Sequence, residues 1–371
     1  MKKMVLIALA LLLVLALGAC GLKAAPAATP EPTPEPTPEP TPEPTPPPTE
    51  YTVTTESAEE IRALAQLTSL KHVDAAQSTE YDALLELQAA LPDCEVEWEY
   101  EFQGTRYPSD TTSLTVTDLT GLEDAIRYLP KLDYIDLIES EATVEDLDRF
   151  DAIRPGIFYY WSFLHDGFRI RTDIQVYSSL RDAIIHRFTS EEMYPMLKYC
   201  RHLKALDLGH NALTDISLIG ELKELEVLIL ADNPIVDASP LGNLEKLTYL
   251  ELFMCHEIQD FSFLEKLHNL CELNLCYDDY VTKLDFLEQM PNFCFGMFKY
   301  SGVSSEEFLK WEAKLPQARM VFWDGNIQSC DSGWRDTEKN TRIRYAFTCW
   351  RNVTGYRHYD DVDYEFTQFN Y

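Results

Sequence analysis

The feature that most restricts the fold is a repeat of leucines in the second half of the chain. Four consecutive segments share one spacing of aliphatic residues and start 22, 22 and 23 residues apart. They read LKALDLGHNAL from residue 203, LEVLILADNPI from 225, LTYLELFMCHEI from 247 and LCELNLCYDDYV from 270. Burying the roughly six or seven aliphatic side chains of one copy yields about 10–20 kcal/mol, but ordering its residues costs about 1.5 kcal/mol each. One copy cannot fold alone, so the copies are expected to stack into a solenoid.

The four segments resemble the leucine-rich repeat, L-x-x-L-x-L-x-x-N/C-x-L. Asn211, Asn233 and Cys255 stand at the N/C position, and Asp278 replaces that residue in the fourth copy. The continuations TDISLIGELKEL and VDASPLGNLEKL are similar to the internalin type of repeat, whose surface proteins bind partner proteins. The resemblance implies an α/β solenoid with a parallel sheet on its concave side. It also implies a structural role for the three N/C residues, which close a buried turn after each strand.

Less regular repeats flank this region. A proline precedes an apolar, strand-like stretch at five points, and the segments before several of them look helical; these prolines are Pro92, Pro130, Pro155, Pro291 and Pro316. The spacing predicts irregular repeats of helix and strand. Residues 95–118 alternate between polar and apolar around Gly104 and predict a β-hairpin. A second hairpin is expected within residues 157–178.

These patterns divide the chain into five parts. Residues 1–20 are predicted to be a lipoprotein signal peptide, 21–50 a Pro/Thr/Glu-rich disordered linker, 51–200 irregular N-terminal repeats with hairpin insertions, 201–330 leucine-rich repeats, and 331–371 an aromatic-rich β segment. The last part either caps the open end of the solenoid or forms an aromatic platform for a ligand such as a sugar. The sequence leaves both interpretations open.

The first twenty residues have the pattern of an export signal. Lys2 and Lys3 precede an uncharged apolar run of 16 residues, Met4–Ala19, which is shorter than the roughly 20 residues of a spanning helix. The ending LGAC at 17–20 resembles the bacterial lipobox, which implies lipid attachment at Cys20; an ordinary signal peptide with an incidental cysteine is the alternative. The linker is similar to the stalks of Gram-positive lipoproteins, which implies the extracytoplasmic face of the cell membrane. A Gram-negative origin stays open.

The charge balance excludes one class of partner. The chain has 31 Lys and Arg against 62 Asp and Glu, a formal net charge of −31, and such a surface repels the phosphates of nucleic acids. A basic protein or peptide is favoured instead. The chain contains no Gly-x-Gly, Walker, HExxH or GxSxG motif, and its eight histidines are scattered. No enzyme, cofactor or metal site is therefore predicted; an exported hydrolase with an unrecognised site is the remaining catalytic alternative.

Eight cysteines remain besides Cys20, and export permits disulfides. Cys271 and Cys294 occupy the same slot in adjacent copies, where neighbouring strands lie about 4.8 Å apart, at the short end of the disulfide range. Because in-register bridges between parallel strands are uncommon, the sequence favours free thiols.

The positions between the strand leucines are expected on the concave face of the sheet. The same positions in successive repeats form a patch of aromatic and methionine residues with carboxylates at its rim. Aromatic residues and methionine are enriched in the cores of protein interfaces. The nine residues predicted to contact a partner are Asp207, Ile229, Tyr249, Glu251, Phe253, Met254, Glu272, Asn274 and Tyr277. The alternative is that the C-terminal segment or a hairpin folds over this face and buries them.

Together these features imply a non-catalytic, lipid-anchored bacterial surface protein. The chain is expected to be a monomer that binds a protein or peptide with the concave face of a leucine-rich-repeat solenoid. A carbohydrate-binding surface lipoprotein that uses the aromatic residues of 331–371 is the second hypothesis. Because a fold does not establish a function, the binding role depends on the resemblance.

Overall fold

The structure is a computed structural model that describes residues 47–54, 57–165, 167–179 and 187–322. Its described part is an α/β solenoid of leucine-rich repeats, which confirms the predicted fold class. The signal peptide, nearly all of the linker and the segment 331–371 lie outside the described residues. Among the residues that the structure describes, no helix combines the length and the apolar character needed to cross a membrane.

The regular repeats build a parallel sheet of seven strands in chain order, called the main sheet below. Its strands are β11 Val176–Ser178, β12 Ala205–Asp207, β13 Val227–Ile229, β14 Tyr249–Glu251, β15 Glu272–Asn274, β16 Phe295–Met297 and β17 Arg319–Val321. The register aligns Leu206, Leu228, Leu250 and Leu273. Because successive side chains of a strand point to opposite faces, these leucines enter one core. The residues beside them line the other face, which we call the concave face.

Each regular repeat returns through a short 3₁₀ turn on the far side of the leucine core. The turns are Ile219–Glu221, Ser239–Asn243, Ser262–Lys266 and Asp285–Gln289. Adjacent turns pack closely, since a Cβ atom on Gly220 would lie 2.6 Å from the carbonyl oxygen of Pro240. The apolar residues of these turns, such as Leu241 and Leu264, are fully buried, so the turns seal the core opposite the sheet.

Two smaller parallel sheets precede the main sheet. The N-terminal sheet contains β1 Glu50–Thr52, β2 His72–Asp74 and β3 Glu95–Glu97, and the middle sheet contains β6 Ser113–Thr115, β7 Tyr134–Asp136 and β8 Phe158–Tyr160. The helices are α1 Ala58–Ala63, extended by a 3₁₀ turn at Leu64–Gln66, α2 Tyr81–Ala90, α3 Leu122–Tyr128, α4 Val144–Ile153, α5 Tyr194–Tyr199 and α6 Ser305–Lys314. One core joins the middle and main sheets, whereas the N-terminal sheet packs on a core of its own.

Both predicted hairpins are present. The first pairs β4 Glu99–Phe102 with β5 Thr105–Pro108, and the second pairs β9 Ser162–His165 with β10 Phe168–Arg171. Each hairpin is inserted directly after a strand of a small sheet and a buried tryptophan, which is Trp98 in the first case and Trp161 in the second.

The hairpins belong to a duplication of 63 residues that the leucine periodicity does not reveal. Trp98 and Trp161 are 63 positions apart, as are Ser109 and Thr172. In both copies the hydroxyl oxygen of Ser109 or Thr172 accepts a hydrogen bond from the backbone N–H of the tryptophan, at 3.3 Å in the first copy and 2.9 Å in the second. The tryptophan carbonyl oxygen in turn accepts one from the Ser109 or Thr172 N–H, at 2.8 and 2.9 Å. Matching bonds at matching positions show that strand, helix, strand and hairpin form one repeated unit.

The expectation of free thiols is wrong for one pair of cysteines. Cys271 and Cys294 form a disulfide, with their Cα atoms 5.2 Å apart. They stand immediately before Glu272 and Phe295, which are paired directly in the parallel register. In-register residues at this separation lie within the range that a disulfide spans. The remaining described cysteines, Cys94, Cys200, Cys255 and Cys276, are buried thiols.

Candidate functional site

Asparagine side chains hold the turns that follow β12 and β13 of the main sheet. The Nδ2 of buried Asn233 donates hydrogen bonds to the carbonyl oxygens of Leu208, at 2.8 Å, and Leu230, at 2.9 Å. Its Oδ1 accepts one from the Leu213 N–H at 3.1 Å. Asn211 donates to the same Leu208 oxygen at 2.9 Å. These amides join the backbones of neighbouring repeats and so position the concave face.

Cys255 and Asp278 occupy the position of these asparagines in the next two repeats, with a thiol and a carboxyl group in place of the amide. The Cys255 thiol donates to the Leu230 carbonyl oxygen at 3.3 Å, and the Cys255 N–H donates to Oδ1 of Asp278 at 3.0 Å. Asp278 is buried, and its Oδ2 has no hydrogen-bond partner in the described part of the chain. Burial raises the pKa of Asp278 well above its ordinary value, because the charged form loses its hydration. A protonated Asp278 has the donor that the asparagine amide supplies in the other copies.

The nine predicted contact residues lie on or beside the concave face of the main sheet, but most are not exposed there. Six of the nine are at most 7% exposed, namely Asp207, Tyr249, Glu251, Phe253, Glu272 and Asn274. These six are therefore buried in this structure, and their contact with a partner stays a prediction. The other three, Ile229, Met254 and Tyr277, are half-buried.

The reason is that the concave face of the main sheet carries an apolar cluster of its own. Its buried members are Val176, Ala205, Val227, Ala231, Tyr249, Phe253, Cys276, Phe295 and Met297. Three carboxylates are buried beside them. Asp207 accepts hydrogen bonds from the Ser178 hydroxyl at 2.9 Å and the Gly209 N–H at 3.0 Å. Glu251 accepts one from the Tyr249 hydroxyl, and Glu272 is 4% exposed.

A row of residues with left-handed backbone follows the strands and forms the rim of this face. The row consists of His210, Asp232, Met254, Tyr277 and Tyr300, with φ between 53° and 63°. The repeat enforces this conformation, since the N–H groups of His210 and Asp232 each donate to a carbonyl of the next repeat at 2.7 Å. Neighbouring side chains touch: the rings of Tyr277 and Tyr300 stack with centroids 4.7 Å apart. Because the row is partly exposed, a binding partner can reach it.

The middle sheet presents a different concave face. Tyr134, Phe158 and Tyr160 are half-buried there, on either side of the buried Ile135 and Tyr159. The rings of Tyr134 and Phe158 lie 5.8 Å apart across two strands. The leucine spacing does not indicate these aromatic residues, although the aromatic run FYYW at 158–161 is a signal for Phe158 and Tyr160.

Basic side chains flank this aromatic row. The guanidinium of Arg171 lies 5.6 Å from the centre of the Tyr160 ring and pairs with Asp173 at 2.9 Å. The His202 ring packs edge-on to Phe158 with centroids 4.5 Å apart. The face therefore combines rigid aromatic surface with a few charged groups, which is the usual composition of a protein-binding patch.

The concave face of the N-terminal sheet is acidic. His72, Glu95 and Glu97 bring their ligand atoms within 4.8 Å of one another. The distribution of histidines along the sequence did not suggest this, because the strands β2 and β3 bring the residues together. Glu97 bonds the His72 ring at 3.1 Å and so raises the pKa of His72. The His72 and Glu97 side chains are 38% and 56% exposed, so water reaches this group of residues.

The second hypothesis, carbohydrate binding, depends on residues 331–371. These residues lie outside the described part of the chain. Cys20, the predicted site of lipid attachment, lies outside it as well.

Residues 201–243 match the protein family described as Leucine Rich repeats (2 copies). No curated protein matches the chain. Internalin C2 from Listeria monocytogenes is similar in structure, with 22% identity, 57% of this chain and 80% of that chain covered, and a TM-score of 0.32.

Internalin F from the same species has 17% identity, 72% of this chain and 64% of that chain covered, and a TM-score of 0.32. A leucine-rich-repeat protein from Leptospira interrogans has 14% identity, 70% and 74% covered, and a TM-score of 0.30. At these values the likenesses indicate no partner or site. The description as a leucine-rich-repeat solenoid follows from the strand register and the leucine core.

Proposed function

We propose that this chain is a non-catalytic bacterial surface protein that binds a protein or peptide partner through the concave side of its solenoid. Leucine-rich-repeat folds are typical scaffolds for protein–protein interaction, because stacked repeats create extended concave surfaces. The observation that carries the proposal is the half-buried aromatic row Tyr134, Phe158 and Tyr160 on the middle sheet.

The backbone beneath this row is well supported. Leu114, Ile135 and Tyr159 occupy the central positions of the three strands and are at most 3% exposed. Rigid aromatic side chains on such a scaffold lose little conformational entropy when a partner binds. They supply large contact areas, and truncation of such residues typically weakens binding most.

Charge favours a basic partner. The net charge of the chain is −31, and the N-terminal sheet adds an acidic surface through Glu50, Glu95 and Glu97, which are exposed. Complementary charge speeds the encounter and is screened by salt. We therefore expect the association rate to fall as the ionic strength rises.

The nine residues predicted from the repeat take a secondary place in this proposal. The six buried ones present little surface to a partner, since each is at most 7% exposed. The three half-buried ones, Ile229, Met254 and Tyr277, lie nearer the surface and extend the binding surface beyond the middle sheet.

The proposal includes attachment of a lipid at Cys20, a position on the extracytoplasmic side of a Gram-positive membrane, and a monomeric state. The sequence supports this through the run of apolar residues before LGAC and the proline-rich linker after it. Stable anchoring needs more than one acyl chain. Replacing the cysteine in C20A is expected to release the protein from the membrane fraction, and unchanged fractionation would remove the anchor from the proposal.

Cross-linking on intact cells followed by purification identifies the partner, whose affinity is then measured with full-length variants. Tyr134→Ser combined with Tyr160→Ser should weaken binding at least about tenfold, since a central aromatic contact contributes about 2 kcal/mol or more. Tyr280→Ser is the matched control, because Tyr280 is 51% exposed but lies away from the middle sheet. Full binding by the double variant would refute the proposed surface.

A further inference from the structure

Cys271 and Cys294 stand at a position of the main sheet that is polar in the repeats before them. This position directly precedes each strand and is half-buried, and its occupants in the three earlier repeats are Lys204, Glu226 and Thr248. The two cysteines are therefore not core residues. For such a cysteine, reactivity usually matters more than packing, so the pair indicates a chemical role besides the cross-link itself.

A carboxylate lies next to the two sulfur atoms. One oxygen of Glu272 and the Sγ atoms of Cys271 and Cys294 all lie within 4.8 Å of one another. The parallel register of β15 and β16 produces this arrangement, since the cysteines immediately precede the paired residues Glu272 and Phe295. Glu272 is 4% exposed, so packing restricts its side chain, whereas the half-buried cysteines remain within reach of small solutes.

Two thiolates and one carboxylate form a ligand set that suits zinc. Thiolate ligands favour Zn²⁺ over Mg²⁺ or Ca²⁺. Tetrahedral zinc has Zn–S distances of about 2.3 Å, which places two bound sulfurs about 3.8 Å apart. The Cα atoms of Cys271 and Cys294 are 5.2 Å apart. Rotation about the Cα–Cβ bonds can therefore separate the reduced sulfurs to that distance while the strands stay in place.

We infer that Cys271, Glu272 and Cys294 form a zinc site when the disulfide is reduced, and that the disulfide closes this site. A dithiol reductant breaks the S–S bond by exchange and leaves as its own disulfide, so that two electrons and two protons pass to the cysteines. Zn²⁺ then displaces both protons and binds the two thiolates. The Glu272 carboxylate is the third ligand, and water takes the fourth tetrahedral position.

Zinc would thus replace one cross-link between β15 and β16 by another. The site lies on the main sheet and needs no partner protein, so it is independent of binding at the middle sheet. Its failure would leave the proposed function untouched, and the reverse also holds.

Cobalt(II) tests the site in the full-length chain, because thiolate ligands give this ion a charge-transfer absorption. The protein is reduced with a phosphine, which becomes the phosphine oxide, and the excess is removed under argon before metal is added. One equivalent of Co²⁺ should give the absorption in the reduced chain, and Zn²⁺ should abolish it. The oxidised chain should lack it. The variant with Cys271→Ser and Cys294→Ser keeps every other thiol and should lack it after reduction as well.

The same absorption in the reduced double variant would overturn the inference, as would its absence from the reduced wild type. Glu272→Gln should keep the absorption but weaken zinc binding at least about tenfold, since the loss of even an outer-shell partner typically has that effect. Unchanged zinc affinity would remove Glu272 from the site.

Alkylation of the reduced wild-type chain gives a test that does not depend on the folding of a variant. Zinc should slow the reaction of iodoacetamide with Cys271 and Cys294 at least about tenfold, because a metal-bound thiolate is not free to attack. Mass spectrometry follows each cysteine separately, with the buried thiols of Cys200 and Cys255 as internal controls. Equal alkylation of Cys271 and Cys294 with and without zinc would overturn the inference.

Discussion

The middle sheet and the main sheet have the same strand arrangement but differ in the residues on their concave faces and in how deeply those residues are buried. Both are parallel and in register, and both pack one face on the same core. The middle sheet has Ser113, Tyr134 and Phe158 in one concave column, and the main sheet has Ala205, Val227 and Tyr249. Aliphatic residues on both faces are typical of parallel sheets that are covered on both sides. The residues that face the concave side on neighbouring strands, rather than the core leucines, therefore determine which part of a solenoid stays accessible to water.

Truncating one tyrosine on each sheet should separate the two faces most clearly. Tyr249→Ala removes a fully buried ring and is expected to lower the free energy of unfolding by about 3–5 kcal/mol, as for other buried aromatic residues. Tyr134→Ala removes a half-buried ring and should cost about 1 kcal/mol. Urea unfolding of both full-length variants measures the difference. Equal losses would show that the two faces are equally open.

The disulfide gives the main sheet a cross-link that the middle sheet lacks in its described part. Cys271 and Cys294 are 23 residues apart in the sequence, and closing a loop of that length is worth about 3 kcal/mol in the chain-entropy account. Replacing both by serine should lower the free energy of unfolding by that amount. A reducing agent should destabilise the wild-type chain similarly and leave the double variant unchanged. If reduction has no effect on the wild type, the bridge is absent.

Asp278 makes one turn of the main sheet dependent on pH. Its pKa is raised in the folded state, whereas the unfolded state loses the proton near pH 3.9. The folded form therefore binds the proton more tightly, and stability falls as the pH rises from about 4 through the folded pKa.

Asp278→Asn restores the amide found at Asn233 and should raise stability near pH 7 by about 1–2 kcal/mol. The gain should disappear towards pH 4. Asp279→Asn is the control, because Asp279 is exposed and should change stability little. A loss of stability at pH 7 in Asp278→Asn would contradict this assignment.

The leucine spacing was sufficient to predict the strands of the regular repeats and the face to which their side chains point. It was not sufficient to predict the exposure of Tyr249 or Glu251, because the repeat specifies only the side of the sheet on which a residue lies, whereas burial depends on how the side chains of that side pack together. The bridge between Cys271 and Cys294 was missed for a local reason. Average strand spacing is at the short end of the disulfide range, whereas the actual Cα separation is 5.2 Å.

The two hairpins were predicted from turn residues and alternation, but their equivalence was not. The 63-residue spacing of Trp98 and Trp161 is visible in the sequence, yet it differs from the 22- to 23-residue spacing of the leucine repeats. The aromatic row of the middle sheet was missed for the same reason. Tyr134 and Phe158 belong to copies in which tyrosine and isoleucine take the place of leucine at the buried position.

Hydroxyl-radical footprinting of the full-length protein compares the two concave faces directly, since radicals oxidise aromatic side chains that water can reach. We expect rapid oxidation of Tyr134 and Tyr160 on the middle sheet. Tyr249 on the main sheet should be protected until the protein is unfolded in denaturant. Equal oxidation of Tyr249 and Tyr134 in the native protein would contradict the division of this solenoid into one open and one covered face.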